Sequence, residues 1–178
     1  VITCRKNEDG KSTRSASPTS VSTTTYHNKG FERQSEGNFP TVESKLFKAL
    51  EHVNLIKSVD DIKQHEFTKA GRTDRAVSAA SNVIALKLHV SEDEENALVK
   101  RINSALPDDI LILAIAKVSD DFSARHHCTG RRYRYFIFSE GLDVDKMRQA
   151  AGMFIGKHDF KRFCKMQPQY AQTGTVRE

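Results

Sequence analysis

Ala70-Gly71-Arg72-Thr73-Asp74-Arg75-Ala76-Val77-Ser78-Ala79 runs almost directly into Asn82-Val83-Ile84-Ala85-Leu86-Lys87-Leu88-His89-Val90, and this junction decides how the chain reads. In the second segment Ile84, Leu86, Leu88 and Val90 fall on one face, with Lys87 and His89 on the other. That period of two is the mark of a half-buried strand. The first segment is short and polar and contains a glycine, so it reads as a loop that opens onto the strand. It sets one carboxylate, Asp74, between the guanidinium groups of Arg72 and Arg75. Nearby positive charge favours the ionised carboxylate, and such a group serves as a nucleophile or a base. A surface turn whose charges satisfy one another has the same composition, so the loop alone does not separate structure from chemistry.

Upstream, Thr41 as cap, Glu43 at the positive end and Val42, Leu46, Leu50 and Val53 on one stripe predict a helix whose apolar face is core. Before it, Val21 to His27 is rich in β-branched residues and reads as a first strand, and residues 28–40, with Gly30, Gly37 and Pro40, read as a loop. Residues 1–20, rich in Ser, Thr, Lys and Arg, are expected to be a flexible basic lead-in. Downstream, Ser91 with Glu94 makes a capping box for a second helix that buries Leu98, Ile102 and Leu106. Ile110 to Ala116 reads as a strand apolar on both faces, and Arg131 to Phe138 as another strand. Asp143 or Asp145 starts a helix expected to carry Met147, Ala151 and Phe154 inward. Residues 167–178 show no packing pattern and are expected to be an unstructured tail or a truncation end. This order of elements means α/β or α+β, without internal repeats.

At 178 residues the chain fits one domain, or one and a piece of another. A formal net charge of +5 favours a polyanionic partner. No run reaches the apolar length of a membrane span and the N-terminus lacks a signal-peptide core, so no membrane partner is expected. The expected setting is intracellular, in cytoplasm or nucleus, with an organelle left open. The first residue, Val1, is expected to mark a trimmed or partial product. Cys4, Cys128 and Cys164 are far apart and odd in number, which reads as free thiols. His126-His127-Cys128 places neighbouring side chains on opposite sides of the backbone and no HExxH pattern accompanies it, so no metal site is expected. Cys164 and His158 have the spacing of an ordinary helix or turn, not of a recognised nucleophile pair. Walker and Rossmann glycine patterns are missing, so no nucleotide cofactor is expected.

The run Arg131-Arg132-Tyr133-Arg134-Tyr135-Phe136-Ile137-Phe138 adds a second kind of signal. On a strand, Tyr133, Tyr135 and Ile137 share one face, and Arg132, Arg134, Phe136 and Phe138 the other. Rings beside guanidinium groups stack bases and hold phosphates. A tyrosine-lined amphipathic strand has the same pattern, but on a net basic chain the nucleic-acid reading moves ahead.

Gly71-Arg72-Thr73-Asp74 with Val77-Ser78-Ala79 and an alternating strand is similar to the catalytic motif of the tRNA pseudouridine synthase A family. Four further blocks fall in that family's order: Pro40-Thr41-Val42-Glu43, Leu106-Pro107-Asp108-Asp109-Ile110, Phe122-Ser123-Ala124-Arg125 and Arg131-Arg132-Tyr133-Arg134-Tyr135. The likeness spans roughly residues 26–166. Ser78, His158-Asp159-Phe160 and Cys164-Lys165-Met166 resemble the eukaryotic branch that modifies tRNA at positions 38 and 39 in the anticodon stem-loop.

The resemblance implies an RRM-like pseudouridine synthase fold enclosing a basic cleft, with residues 21–166 as its N-terminal, catalytic part. It implies cofactor-free isomerisation of uridine to pseudouridine, with tRNA as partner and a homodimer left open. Asp74 would be the catalytic carboxylate, as nucleophile or base, and Arg72 would hold it and help fill the space the uridine leaves. Tyr133 would stack on the uracil, with Tyr135 as second candidate. Arg75, Arg125, Arg131, Arg132 and Arg134 would contact phosphates. Ala76 stands where the family usually has glycine, so a positive φ there would be strained by its Cβ. The family also continues past the position of Met166, so the fold is expected to be incomplete at the C-terminus. A non-catalytic RNA-binding domain, or an inactive fragment of the same ancestry, is the alternative.

Overall fold

The structure is a computed structural model that describes residues 2–3, 17–23, 28–33, 40–88, 95–164 and 174–178. The chain divides into two compact units, residues 1–131 and 132–178.

The first unit is a mixed α+β arrangement. Its strands are β1 (Ile2–Thr3), β2 (Ser17–Thr23), β3 (Thr68–Lys69), β4 (Ala79–Lys87) and β5 (Ile110–Ala116), and its helices are α1 (Val42–His52) and α2 (Glu95–Asn103). The sheet order is β1-β4-β2-β5, with β3 also on β4. β2 runs antiparallel to both neighbours, pairing Val21 with Asn82 and Thr23 with Ile110, and only β1 lies parallel to β4. The alternation of β4 determines which face is dry: Ile84, Leu86 and Leu88 are buried, as their spacing predicts. They meet Val42, Leu46, Phe47 and Leu50 of α1, Leu98 and Ile102 of α2, and Ile110 and Ile112 of β5 in one core. Thr41 caps α1 by accepting from the Ser44 N–H, and Ser44 returns the bond to the Thr41 N–H in a capping box.

Several expectations change. The first strand starts at Ser17, inside the segment read as a lead-in, and pairing to β4 and β5 outweighs its thin apolar content. β4 starts at Ala79, ahead of the clean alternation, because β2 already pairs there through Thr23. β5 and the tail differ too. β5 buries Ile110 and Ile112, but Leu111 and Leu113 on its other face are each 47% exposed. An apolar run on both faces suits a strand covered on both sides, and among the described residues the core cluster takes only Ile110, Ile112 and Ile115 of β5. Val176–Arg177, within the segment read as a tail, forms β7 and pairs with β6 (His158–Asp159). The capping box of Ser91 and Glu94, and Val90, lie outside the described residues.

The second unit contains α3 (Val144–Gly152), β6 and β7. Asp143 caps α3 by accepting from the Lys146 N–H at 3.0 Å, one of the two starts the sequence suggested. Met147, Ala151 and Phe154 do not point inward, however: all are exposed, because no described element of this unit covers that stripe. Phe154, Phe160 and Phe163 instead make a small ring cluster with centroids 5.5–6.2 Å apart. The run from Arg131 to Phe138 is not a strand either. It has no ladder partner among the described residues, and a strand exists only by pairing.

Candidate active site

β3 and β4 form an antiparallel pair through Thr68–Ala85 and Lys69–Ile84, and the Ala70 N–H extends it by donating to the Val83 carbonyl at 2.8 Å. Residues 71–78 are therefore the loop of a hairpin, and the Gly-Arg-Thr-Asp motif occupies that loop. Its base is held from three directions. Asn82 donates from Nδ2 to the Gly71 carbonyl at 3.0 Å, Arg131 donates through Nε and Nη2 to the Ala70 carbonyl, and the Phe31 N–H donates to the Thr73 carbonyl at 3.0 Å.

That last bond explains Gly30. It has φ +96°, and a Cβ there would stand 3.1 Å from the Thr73 carbonyl oxygen, so a side chain would push the two loops apart. The carbonyls of Gly30 and Phe31 also accept from the N–H groups of Val42 and Glu43, which have no partner within α1. One short loop, residues 28–33, thus joins the first turn of α1 to the hairpin loop.

Asp74 stands exposed in a turn closed by the Val77 N–H donating to the Asp74 carbonyl at 3.2 Å. Ala76, inside that turn, has φ +64°. The strain that the alanine-for-glycine departure raised is therefore present. Arg72 forms an ion pair with Glu32, Nη1 to Oε2 at 2.6 Å. The other oxygen of Glu32 takes Lys69 Nζ at 3.0 Å. Lys69 also meets Oε1 of Glu43 at 2.5 Å, and its ammonium stands 6.0 Å and 5.7 Å from the ring centres of Phe31 and Phe67. Partial burial would raise the Glu32 carboxyl, but hydrogen bonds and charge from Lys69 and Arg72 outweigh it and hold it below the usual glutamate range.

Of the residues the sequence singled out, Arg72, Asp74, Arg75, Arg125 and Arg131 belong to the first unit, and Arg132, Tyr133 and Arg134 to the second. Arg75 and Arg125 are exposed, whereas Arg131 spends its guanidinium on the hairpin backbone, a bracing role. Tyr133 is 83% exposed.

No protein-family model matches the chain. It is 40% identical over 144 residues to tRNA pseudouridine synthase A of Methanosarcina mazei, covering 80% of this chain and 51% of that protein. With tRNA pseudouridine synthase A of Thermococcus kodakarensis it shares 38% identity over 139 residues, 78% of this chain and 49% of the relative. With the tRNA pseudouridine(38/39) synthase of Homo sapiens it shares 41% over 155 residues, 77% of this chain and 31% of the relative. By homology the chain belongs to the tRNA pseudouridine synthase A family. This synthase homologue spans about half the length of the archaeal relatives, 51% and 49%, and 31% of the human one.

In this pseudouridine synthase homologue the sequence located the motif loop but missed its supports. Glu32 lies 37 residues from Lys69 and 40 from Arg72, and such pairings leave no trace in local periodicity. Glu43 was read as a helix-end charge, yet it is 5% exposed, and that burial is what calls for Lys69.

Proposed function

We propose that the chain is the motif-bearing part of a tRNA pseudouridine synthase acting on uridine at positions 38 and 39 of the anticodon stem-loop. What carries the reading is a carboxylate, Asp74, exposed at the tip of a braced hairpin loop in a chain 38–41% identical to proteins of that name. The reaction breaks the bond from ribose C1′ to uracil N1, turns the base and joins C1′ to C5. The proton lost from C5 is matched by one gained at N1, so the isomerisation balances without a co-reactant. Asp74 acts on the ribose, as nucleophile or as base. Arg72, two residues away and ion-paired to Glu32, helps fill the gap when the uridine leaves the stack. Tyr133 stacks on the uracil, and Arg75, Arg125, Arg132 and Arg134 meet phosphates.

The finer fold belongs to the same proposal: an RRM-like synthase domain over residues 21–166 whose cleft is completed beyond this chain. Supporting it, Tyr133, Tyr135, Phe136 and Phe138 of the Tyr-Arg run are 83–95% exposed, as the rings of a strand are before its neighbours cover it. A second reading, an RNA-binding domain without turnover, draws on the strained Ala76. The test is pseudouridine formation in an anticodon stem-loop RNA by the full-length protein carrying these residues. Product at positions 38 or 39 is expected. RNA binding without product would overturn catalysis in favour of the second reading.

A further inference from the structure

Glu43, Lys69, Glu32 and Arg72 form one continuous run of alternating charge, and only its last member lies in the motif. At its buried end, Glu43 is fixed on α1: one oxygen accepts from the Arg33 N–H at 2.5 Å and the other takes Lys69. Lys69, on β3, is 19% exposed, with its ammonium between two rings and two carboxylates. Glu32 continues the run with one oxygen on Lys69 and one on Arg72. The Phe31–Thr73 backbone bond next to it keeps the two loops in register.

We infer that Glu32 is a positioning residue, steered by Lys69 and holding the Arg72 guanidinium in one orientation beside the loop that carries Asp74. Arg72 is 65% exposed, and the Glu32 carboxylate at 2.6 Å limits the rotamers open to an arginine so placed. Exposed ion pairs add little to stability, so the consequence of this one is geometric. A guanidinium fixed before substrate arrives loses less freedom when the base leaves the stack. Lys69 also meets Glu43, so the clamp has its root in α1 and not in the loop. The inference rests on Asp74 as the reacting carboxylate and extends that site to a residue outside the motif.

The test is a double-mutant cycle on pseudouridine formation with E32Q, R72A and E32Q/R72A. E32Q is expected to lower kcat about tenfold with KM for the RNA within about twofold, and to add nothing once Arg72 is gone. An unchanged kcat in E32Q, or losses that multiply in the double variant, would overturn it. The guanidinium 15N signals of selectively labelled arginine give a readout independent of turnover, with Arg72 assigned by its loss in R72A. Arg72 is expected to be motionally restricted in the wild type and averaged in E32Q. The same mobility in both would overturn the clamp. Failure of the wild type to make pseudouridine would sink the catalytic reading instead, leaving these signals to decide the role of Glu32.

Discussion

Ala76 carries φ +64°, where a side chain with a Cβ is disfavoured. Ala76→Gly is therefore expected to stabilise the protein by about 1 kcal/mol, since relief of the left-handed strain exceeds the entropy that glycine adds to the unfolded chain. Urea denaturation checks this, and a loss of stability would show that the turn is not strained. Glu32 makes a prediction in pH. Its carboxyl is held low in the folded protein, so the stability it adds is present above the ordinary glutamate pKa and lost as pH falls through the lower folded value. The difference in melting temperature between wild type and E32Q should be constant well above the ordinary glutamate pKa and shrink as pH falls below it. Because Glu32 is 45% exposed, solvent screening keeps that difference small. At this scale the hazard of Ala76 was legible in the sequence. Glu32 and Lys69 stayed hidden because each matters through a partner far away in the chain.

Among the elements, α1 and β4 were legible for a physical reason. Thr41 and the Val42-Leu46-Leu50 stripe act within one helix, and the Ile84-Leu86-Leu88 alternation within one strand, so each pattern carries its own consequence. The run from Arg131 to Phe138 has the pattern of a strand but not its hydrogen bonds, which a neighbour must supply. α3 has its cap, Asp143, but no described surface against its apolar stripe. The junction of α1, β3 and the hairpin loop depends most on Lys69. In Lys69→Met the stem still packs beside Phe31 and Phe67, but the nearly buried Glu43 loses its cation. A loss of about 3 kcal/mol is expected in urea denaturation. A change under about 0.5 kcal/mol, the range of ordinary surface substitutions, would mean that the charge run does not join these elements.

For the whole molecule, the ordered motif blocks and the net charge of +5 are legible in the sequence as marks of the family and of a polyanionic partner, and the order of elements as α/β or α+β. The division into two units was not legible, because it depends on which surfaces find cover and not on the local pattern. Homology over 77–80% of the chain supplies the family, and the braced hairpin holds Asp74 exposed in its loop. The most direct measurement is pseudouridine formed at positions 38 and 39 of an anticodon stem-loop RNA, with wild type and Asp74→Ala compared side by side in the full-length protein. Product from the wild type is expected, with at least about a thousandfold less from Asp74→Ala at similar RNA affinity. Turnover that survives Asp74→Ala would contradict the assignment of Asp74 as the reacting group.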